Sequence, residues 1–189
     1  MRILRNAAAA AIVLLTSAGF AYSQQATITS FRYAVGPVST FAAGPTDWIV
    51  LTGAAGKVVK LTNITCSGTA NSSASLDLIL VKRSTADSGG TSATVTPVNL
   101  GATTLTAASS LAVYTVNPTL GTAVANIDAQ KLNVGPPGSA GFMSLDFGTR
   151  PQAVAPVLRG TSQQLALNLN GGTVPVGLSL DCRLEITEQ

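Results

Sequence analysis

The most regular pattern in the chain is the run Leu178-Ser179-Leu180-Asp181-Cys182-Arg183-Leu184-Glu185-Ile186-Thr187. Apolar and polar side chains alternate strictly along it, and a period of two is typical of a β-strand that buries one face. A shorter alternating run at residues 165–169 places three leucines on one face and is closed by Gly171 and Gly172. We predict two strands here, which either pair as a hairpin with a long loop or lie in different sheets.

Similar short apolar runs continue through the rest of the chain. Further strands are predicted at residues 27–35, 48–52, 57–66, 76–82, 91–98, 113–116, 131–134, 144–147 and 155–158. No segment keeps an apolar stripe at helical spacing, although residues 102–112 and 123–131 could each hold a turn or two of helix. About ten short strands, roughly a dozen residues apart, predict an all-β fold, a jelly-roll-like antiparallel β-sandwich with little helix.

The composition excludes several classes of site. The 189 residues are 46% apolar and only 10% charged, and the chain contains no histidine. Histidine is the usual general base, a common metal ligand and one partner in Ser-His-Asp and Cys-His nucleophilic sites. The acidic residues are scattered singly, and Asp181 and Glu185 share an exposed strand face with Arg183 between them. We therefore predict that the protein is not an enzyme and has no catalytic residue, cofactor or metal site.

Residues 1–23 have the pattern of a secretory signal peptide. Arg2 and Arg5 precede an apolar run at residues 7–15, and small residues precede the predicted cleavage before Gln24. The run is too short to span a membrane, so no membrane span is expected after cleavage. The remainder, residues 24–189, is predicted to form a single β-sandwich domain in an exported protein.

Removal of this leader also changes the charge balance. Without Arg2 and Arg5, nine basic residues face eight acidic residues, and no basic cluster remains. Proteins that bind nucleic acid neutralise phosphates with clustered Lys and Arg. We therefore expect no nucleic-acid partner.

The two cysteines, Cys66 and Cys182, are far apart in a chain that is predicted to reach an oxidising compartment. They could form a single long-range disulfide. Alternatively, both could be buried as small apolar residues. The sequence leaves both interpretations open.

Trp48 is the only tryptophan, and it is the candidate for a surface-binding residue that stacks on a carbohydrate. Its apolar neighbours Ile49, Val50 and Leu51 favour the alternative, in which the indole belongs to the core. The most polar loop, residues 84–91, contains two glycines but lacks the helix and lysine of a phosphate-binding loop. We expect a connecting loop there, with Lys82 and Arg83 at the solvated end of the preceding strand.

Several turn and strand motifs carry a further signal. They are Asp47-Trp48 with Gly53, Lys82-Arg83-Ser84-Thr85-Ala86-Asp87-Ser88-Gly89-Gly90-Thr91, Tyr114-Thr115-Val116-Asn117-Pro118-Thr119-Leu120-Gly121, Leu158-Arg159-Gly160-Thr161-Ser162-Gln163, Leu167-Asn168-Leu169-Asn170-Gly171 and Ile186-Thr187-Glu188-Gln189. In these motifs the chain resembles a family of small virion proteins of tailed bacteriophages and prophages, over nearly all of residues 27–189.

The resemblance implies a β-sandwich that is a decoration or appendage component of a particle. Two departures, the leader and Ile186 in place of an expected aromatic, suggest a secreted or host-domesticated relative. We therefore expect a non-enzymatic structural or surface-binding protein, periplasmic, extracellular, surface-associated or in a virion, that acts in assembly or adhesion. The expected partners are copies of itself, a particle or a cell surface, joined through faces rich in Thr and Ala.

Two other functions fit the same sequence. One is a pilus-type subunit, whose sandwich is completed by a strand from a neighbour. The other is a secreted carbohydrate-binding module that uses Trp48.

Overall fold

The computed structural model describes residues 27–41, 46–101, 104–148 and 154–189, and in these ranges it contains twelve β-strands and no helix. The strands are β1 (Thr29–Val38), β2 (Asp47–Thr52), β3 (Val58–Thr69), β4 (Ala74–Arg83), β5 (Thr91–Val95), β6 (Pro97–Asn99), β7 (Ser110–Val116), β8 (Ala123–Val134), β9 (Gly141–Asp146), β10 (Val157–Arg159), β11 (Gln164–Asn168) and β12 (Ser179–Glu188). The predicted leader, residues 1–23, lies outside the described residues.

The strands form two antiparallel sheets that pack against each other. The first sheet has the order β10-β3-β12-β1-β6, and β9 also pairs with β3. The second sheet has the order β5-β7-β2-β11-β4-β8. The prediction of an all-β, antiparallel β-sandwich is therefore confirmed.

Alternation in the sequence becomes alternation of burial in the structure. In β12 the buried side chains are Leu180, Cys182, Leu184 and Ile186, as the sequence predicts. Strands β11 and β12 lie in different sheets, so the hairpin alternative is wrong and the two-sheet alternative is confirmed. Apolar side chains from both sheets meet between them in one core.

Two segments differ from the predictions. Residues 123–131, considered for a turn of helix, form the first part of β8, because pairing with the long strand β4 satisfies their backbone groups. The predicted strand at 91–98 is divided at Thr96 into β5 and β6, which belong to different sheets. Pro97 lacks an N–H group and is confined to edge positions of a sheet, so it begins the short edge strand β6.

Two connections cross the outer face of the second sheet. At one set of strand ends of this sheet, β4 ends and β8 begins, with Arg83 opposite Ala123. At the opposite strand ends, β7 ends and β5 begins, with Val116 opposite Thr91. Both connections, residues 84–90 from β4 to β5 and residues 117–122 from β7 to β8, therefore run across the strands that lie between. We call them the crossover segments.

The crossover segments lie side by side and run in opposite directions. Ser88 and Thr119 exchange two backbone hydrogen bonds, with N–O distances of 3.0 and 2.7 Å. The outer-face side chains Val50, Ala166 and Tyr114 are buried beneath this side of the sheet and form a small apolar cluster separate from the main core. Part of the outer face of the second sheet is thus covered as well as its inner face.

The crossover segments approach so closely at Gly121 that a side chain is excluded. A methyl group there would lie 2.0 Å from the carbonyl oxygen of Thr85. We expect Gly121→Ala to lower the free energy of unfolding by about 1–3 kcal/mol, since backbone atoms must move apart. Denaturant unfolding of both variants measures the change. Gly101→Ala is the control, because its methyl group would meet only one atom, at 3.9 Å; an equal effect of both substitutions would contradict close packing of the segments.

Candidate functional site

The largest polar cluster that we identify lies beneath the crossover segments and centres on Arg83. Its guanidinium donates two hydrogen bonds to the carboxylate of Asp47, one of them at 2.8 Å from Nη2 to Oδ1. Nη1 donates to the carbonyl oxygen of Gly121 at 2.7 Å, and Nε lies 3.5 Å from Oδ1 of Asp87. The three charged side chains are at most 5% exposed. One cation thus joins two carboxylates and a crossover segment inside the protein.

Amide groups complete the cluster. Asn168 of β11 donates to Oδ1 of Asp47 at 2.6 Å. The N–H of Asp87 donates to the side chain of Gln164, also on β11, at 2.8 Å. The N–H of Gly121 donates to Oδ1 of Asp87 at 2.8 Å. These bonds fix both crossover segments to the middle of the second sheet.

The prediction that Arg83 lies at a solvated strand end is wrong. Arg83 is on the outer face of β4, and that face is covered by segments that are distant in sequence. Periodicity indicates which residues share a face, but it does not indicate whether a loop covers that face. Asp47 and Asp87 are likewise isolated in the sequence and come together only through the order of the strands.

Asp87 is the most strongly perturbed acid of this cluster. Burial is the largest cause that raises the pKa of Asp87 to about 6; the charge of Asp47 also raises it, while the Gly121 N–H and Arg83 lower it. Its Oδ2 atom is buried and accepts no hydrogen bond. A proton on this oxygen would relieve the repulsion between the two carboxylates. Burial also raises the pKa of Tyr114, and both carboxylates contribute to that increase.

A third buried carboxylate belongs to Glu188. It accepts hydrogen bonds from the N–H groups of Ala108 and Ser109 and from the Ser109 hydroxyl, at 2.6–3.0 Å. The Tyr33 hydroxyl donates to the carbonyl oxygen of Ser109 at 2.9 Å. Glu188 lies on the same face of β12 as the buried residues Leu184 and Ile186, so alternation along this strand indicates that its side chain points inward. It anchors the segment that leads into β7.

Cys66 and Cys182 form a disulfide bond. They lie directly opposite each other on β3 and β12, with their Cα atoms 4.1 Å apart, and both are buried. Of the two interpretations that the sequence left open, the disulfide is the one that the structure contains. A disulfide is consistent with an oxidising, exported location.

Trp48 is fully buried, with 0% of its surface exposed. Its ring packs at a tilt against Phe41, with centroids 5.1 Å apart. A surface-binding role for Trp48 is therefore wrong, since an indole in the core cannot stack on a ligand, and the alternative core position is confirmed. Among the described residues, the exposed aromatic side chain is instead Phe142, which is 69% exposed on β9.

The predicted charged face of β12 is at the surface. Arg32 of the neighbouring strand β1 donates two hydrogen bonds to Glu185, at 2.7 and 3.0 Å, and Arg183 lies 3.7 Å from the same carboxylate. Such exposed pairs contribute little to stability. Among the described residues, no group of three or more His, Cys, Asp or Glu side chains could hold a metal ion.

A long stretch of the chain without charged residues includes β5, β6, β7 and the first part of β8. Residues 88–127 include no Asp, Glu, Lys or Arg. Seven of the eleven large apolar side chains that are exposed in the described residues belong to this stretch: Val98, Leu100, Leu105, Val116, Leu120, Val124 and Ile127. We call this the uncharged stretch, and it is the candidate functional surface.

Comparison of the chain with known protein families, with curated proteins and with solved structures found no match.

No helix that is long and apolar enough to cross a bilayer occurs in the described part of the chain.

Replacing Arg83 should lower the stability of the protein. We expect Arg83→Met to lower the free energy of unfolding by about 3–5 kcal/mol, since it leaves Asp47 and Asp87 buried without their cation. Urea titration at pH 7.5 measures the change. Lys82→Met, at the adjacent and partly exposed position, is the control and should change stability by less than about 1 kcal/mol. A similar loss of unfolding free energy in both variants would show that the buried ion pairs of Arg83 contribute no more to stability than Lys82 does.

Lowering the pH from 7.5 to 4.5 should stabilise the wild-type protein relative to Asp87→Asn. A folded-state pKa of about 6, above the ordinary value of 3.8, means that the folded protein binds this proton first as the pH falls. Stability is therefore gained between these values, by at most roughly 3 kcal/mol. The amide cannot ionise and removes that gain.

The measurement is the free energy of unfolding of the wild type and of Asp87→Asn, each at pH 7.5 and at pH 4.5. The change with pH in the variant is then subtracted from the change in the wild type. Asp77→Asn is the control, because Asp77 is about half exposed and pairs with Lys131 at the surface. The same pH dependence in the wild type and in Asp87→Asn would contradict the raised pKa.

Proposed function

We propose that the chain is a non-enzymatic structural protein that associates with copies of itself and acts in assembly or adhesion. The observation that carries this proposal is the uncharged stretch, which contains most of the large apolar side chains exposed in the described residues. Apolar side chains that are exposed close together mark interaction sites, and four of the seven, Val116, Leu120, Val124 and Ile127, lie in β7, in β8 and in the connection between them.

The composition of this stretch lowers the free-energy cost of association. Burying an unpaired charge is expensive, whereas a Thr or Ser hydroxyl costs less to bury and needs only a hydrogen-bond partner across the interface. An interface between identical copies also brings like charges close together unless the contact region lacks them. The uncharged stretch meets both conditions over 88–127.

The proposed location is exported: periplasmic, extracellular or surface-associated. The leader-like residues 1–23 support it. The Cys66–Cys182 bond also supports it, because disulfides persist in oxidising compartments and are rare in the cytosol.

A place in a virion-like particle is the more specific form of the proposal. It is supported by the motifs that resemble phage virion proteins. Two of those motifs, residues 82–91 and 114–121, contain most of the two crossover segments and Arg83, which anchors them. They are the parts of the chain whose packing is least determined by simple alternation.

Self-association and location can be tested together. Sedimentation velocity across a hundredfold range of concentration should show species larger than the monomer, with a fraction that rises with concentration. Mass spectrometry of particles, periplasm and medium from induced source cells should find the chain in at least one of them. A protein that stays monomeric at every concentration, or that is found only in the cytosol, would refute the proposal.

A further inference from the structure

We propose that copies of this chain join head to tail through the two edges of the second sheet, with β5 of one copy pairing with the first half of β8 of the next. The inference rests on the proposed self-association and specifies its surface. In the described residues, β5 pairs only with β7 and β8 only with β4. Each therefore has one edge that pairs with no other described strand and could accept a strand from another chain.

Strand direction favours this joint. All neighbours in the second sheet are antiparallel, and the sheet has six strands. With an even number of alternating strands, β5 and β8 run in opposite directions. A second copy placed beside the first in the same orientation would thus continue the antiparallel pattern, whereas an odd number of strands would bring parallel strands together.

The two edges also lie at the same level of the sheet. Thr94 of β5 begins a row of directly opposite residues that passes through Ala112, Val50, Ala166 and Val81 and ends at Asn126 of β8. A parallel row leads from Val95 to Ala125. A neighbouring copy at this level would place its Thr94 opposite Asn126, with no shift along the strands.

Neither edge carries the charges that usually prevent edge-to-edge pairing. Natural sheets protect exposed edges with Lys or other charged side chains, proline or bulges. Strand β5 (Thr91–Val95) and residues 123–127 of β8 are uncharged, and most of their side chains are exposed. Both belong to the uncharged stretch.

Strand β8 does carry two bulges, and they define how the joint forms. The residues without a partner on β4 are Val124 and Ile127, which are 60% and 37% exposed. These bulges shorten the regular backbone that is available for pairing. Burial of the two apolar side chains against the next copy supplies the remaining stabilisation.

A head-to-tail joint has a defined consequence for assembly. The two contacting surfaces differ, so each added copy presents a free edge at each end of the growing assembly. The product is a ring or an open filament. A joint between two identical edges would stop at a dimer.

The experiment uses two edge variants of the full chain. Ser92→Lys/Thr94→Lys blocks the β5 edge, and Val124→Lys/Asn126→Lys blocks the β8 edge; all four side chains are exposed. The control, Ser72→Lys/Ser73→Lys, adds the same charge at exposed positions between β3 and β4, outside the uncharged stretch and outside both edge strands. Circular dichroism and thermal unfolding establish that each variant retains the fold.

Sedimentation velocity then distinguishes the possible joints. Each edge variant alone should be monomeric at concentrations tenfold above those at which the wild type and the control associate. An equimolar mixture of the two edge variants should form a one-to-one dimer and nothing larger, since each supplies the edge that the other lacks.

Three results would overturn the inference. Dimerisation of the β8-blocked variant alone would indicate pairing between two β5 edges. Association of both edge variants at wild-type strength would place the contact elsewhere while leaving self-association intact. A wild type that is monomeric at every concentration would refute the proposed self-association, and this joint with it.

Discussion

The guanidinium of Arg83 holds together parts of the chain that local structure alone would leave apart. A buried cation must be paired, and here its partners come from β2, from the segment after β4 and from the segment before β8. The position of this group therefore fixes where both crossover segments lie. Those segments in turn cover part of the outer face of the second sheet, above Val50, Ala166 and Tyr114. The buried ion cluster is thus a structural centre, and the surface that it leaves open is the one proposed to act.

The two sheets differ in the charges that they expose. The first sheet presents a conventional charged face, where Arg32, Glu185 and Arg183 interact in solvent, and it contains the disulfide. The second sheet has apolar contacts on both faces, and its edge residues 91–95 and 123–127 are uncharged.

Alternation and apolar content in the sequence were enough to predict the fold class, the buried face of β12 and the core position of Trp48, because these depend on local pattern. It was not enough for Arg83, Asp47 and Asp87, whose burial results from strand order and from loops that cross a sheet. Residues 123–131 show the same limit, since an Ala-containing segment became a strand only because β4 offered an unpaired edge. Glu188 is an intermediate case. Its position in the alternating pattern indicates a buried side chain, whereas its charge is typical of an exposed one.

The disulfide between β3 and β12 has a mechanical consequence. It closes a loop that spans 116 residues, so a force applied to the two ends of the chain cannot extend the part between Cys66 and Cys182. At about 3.4 Å per residue, roughly 400 Å of contour length is shielded in this way. Most of the second sheet, including β4, β5, β7, β8 and β11, lies within that loop. Under tension, the protein would yield only its amino-terminal strands and the last few residues, while most of the second sheet's chain stayed within the covalent loop.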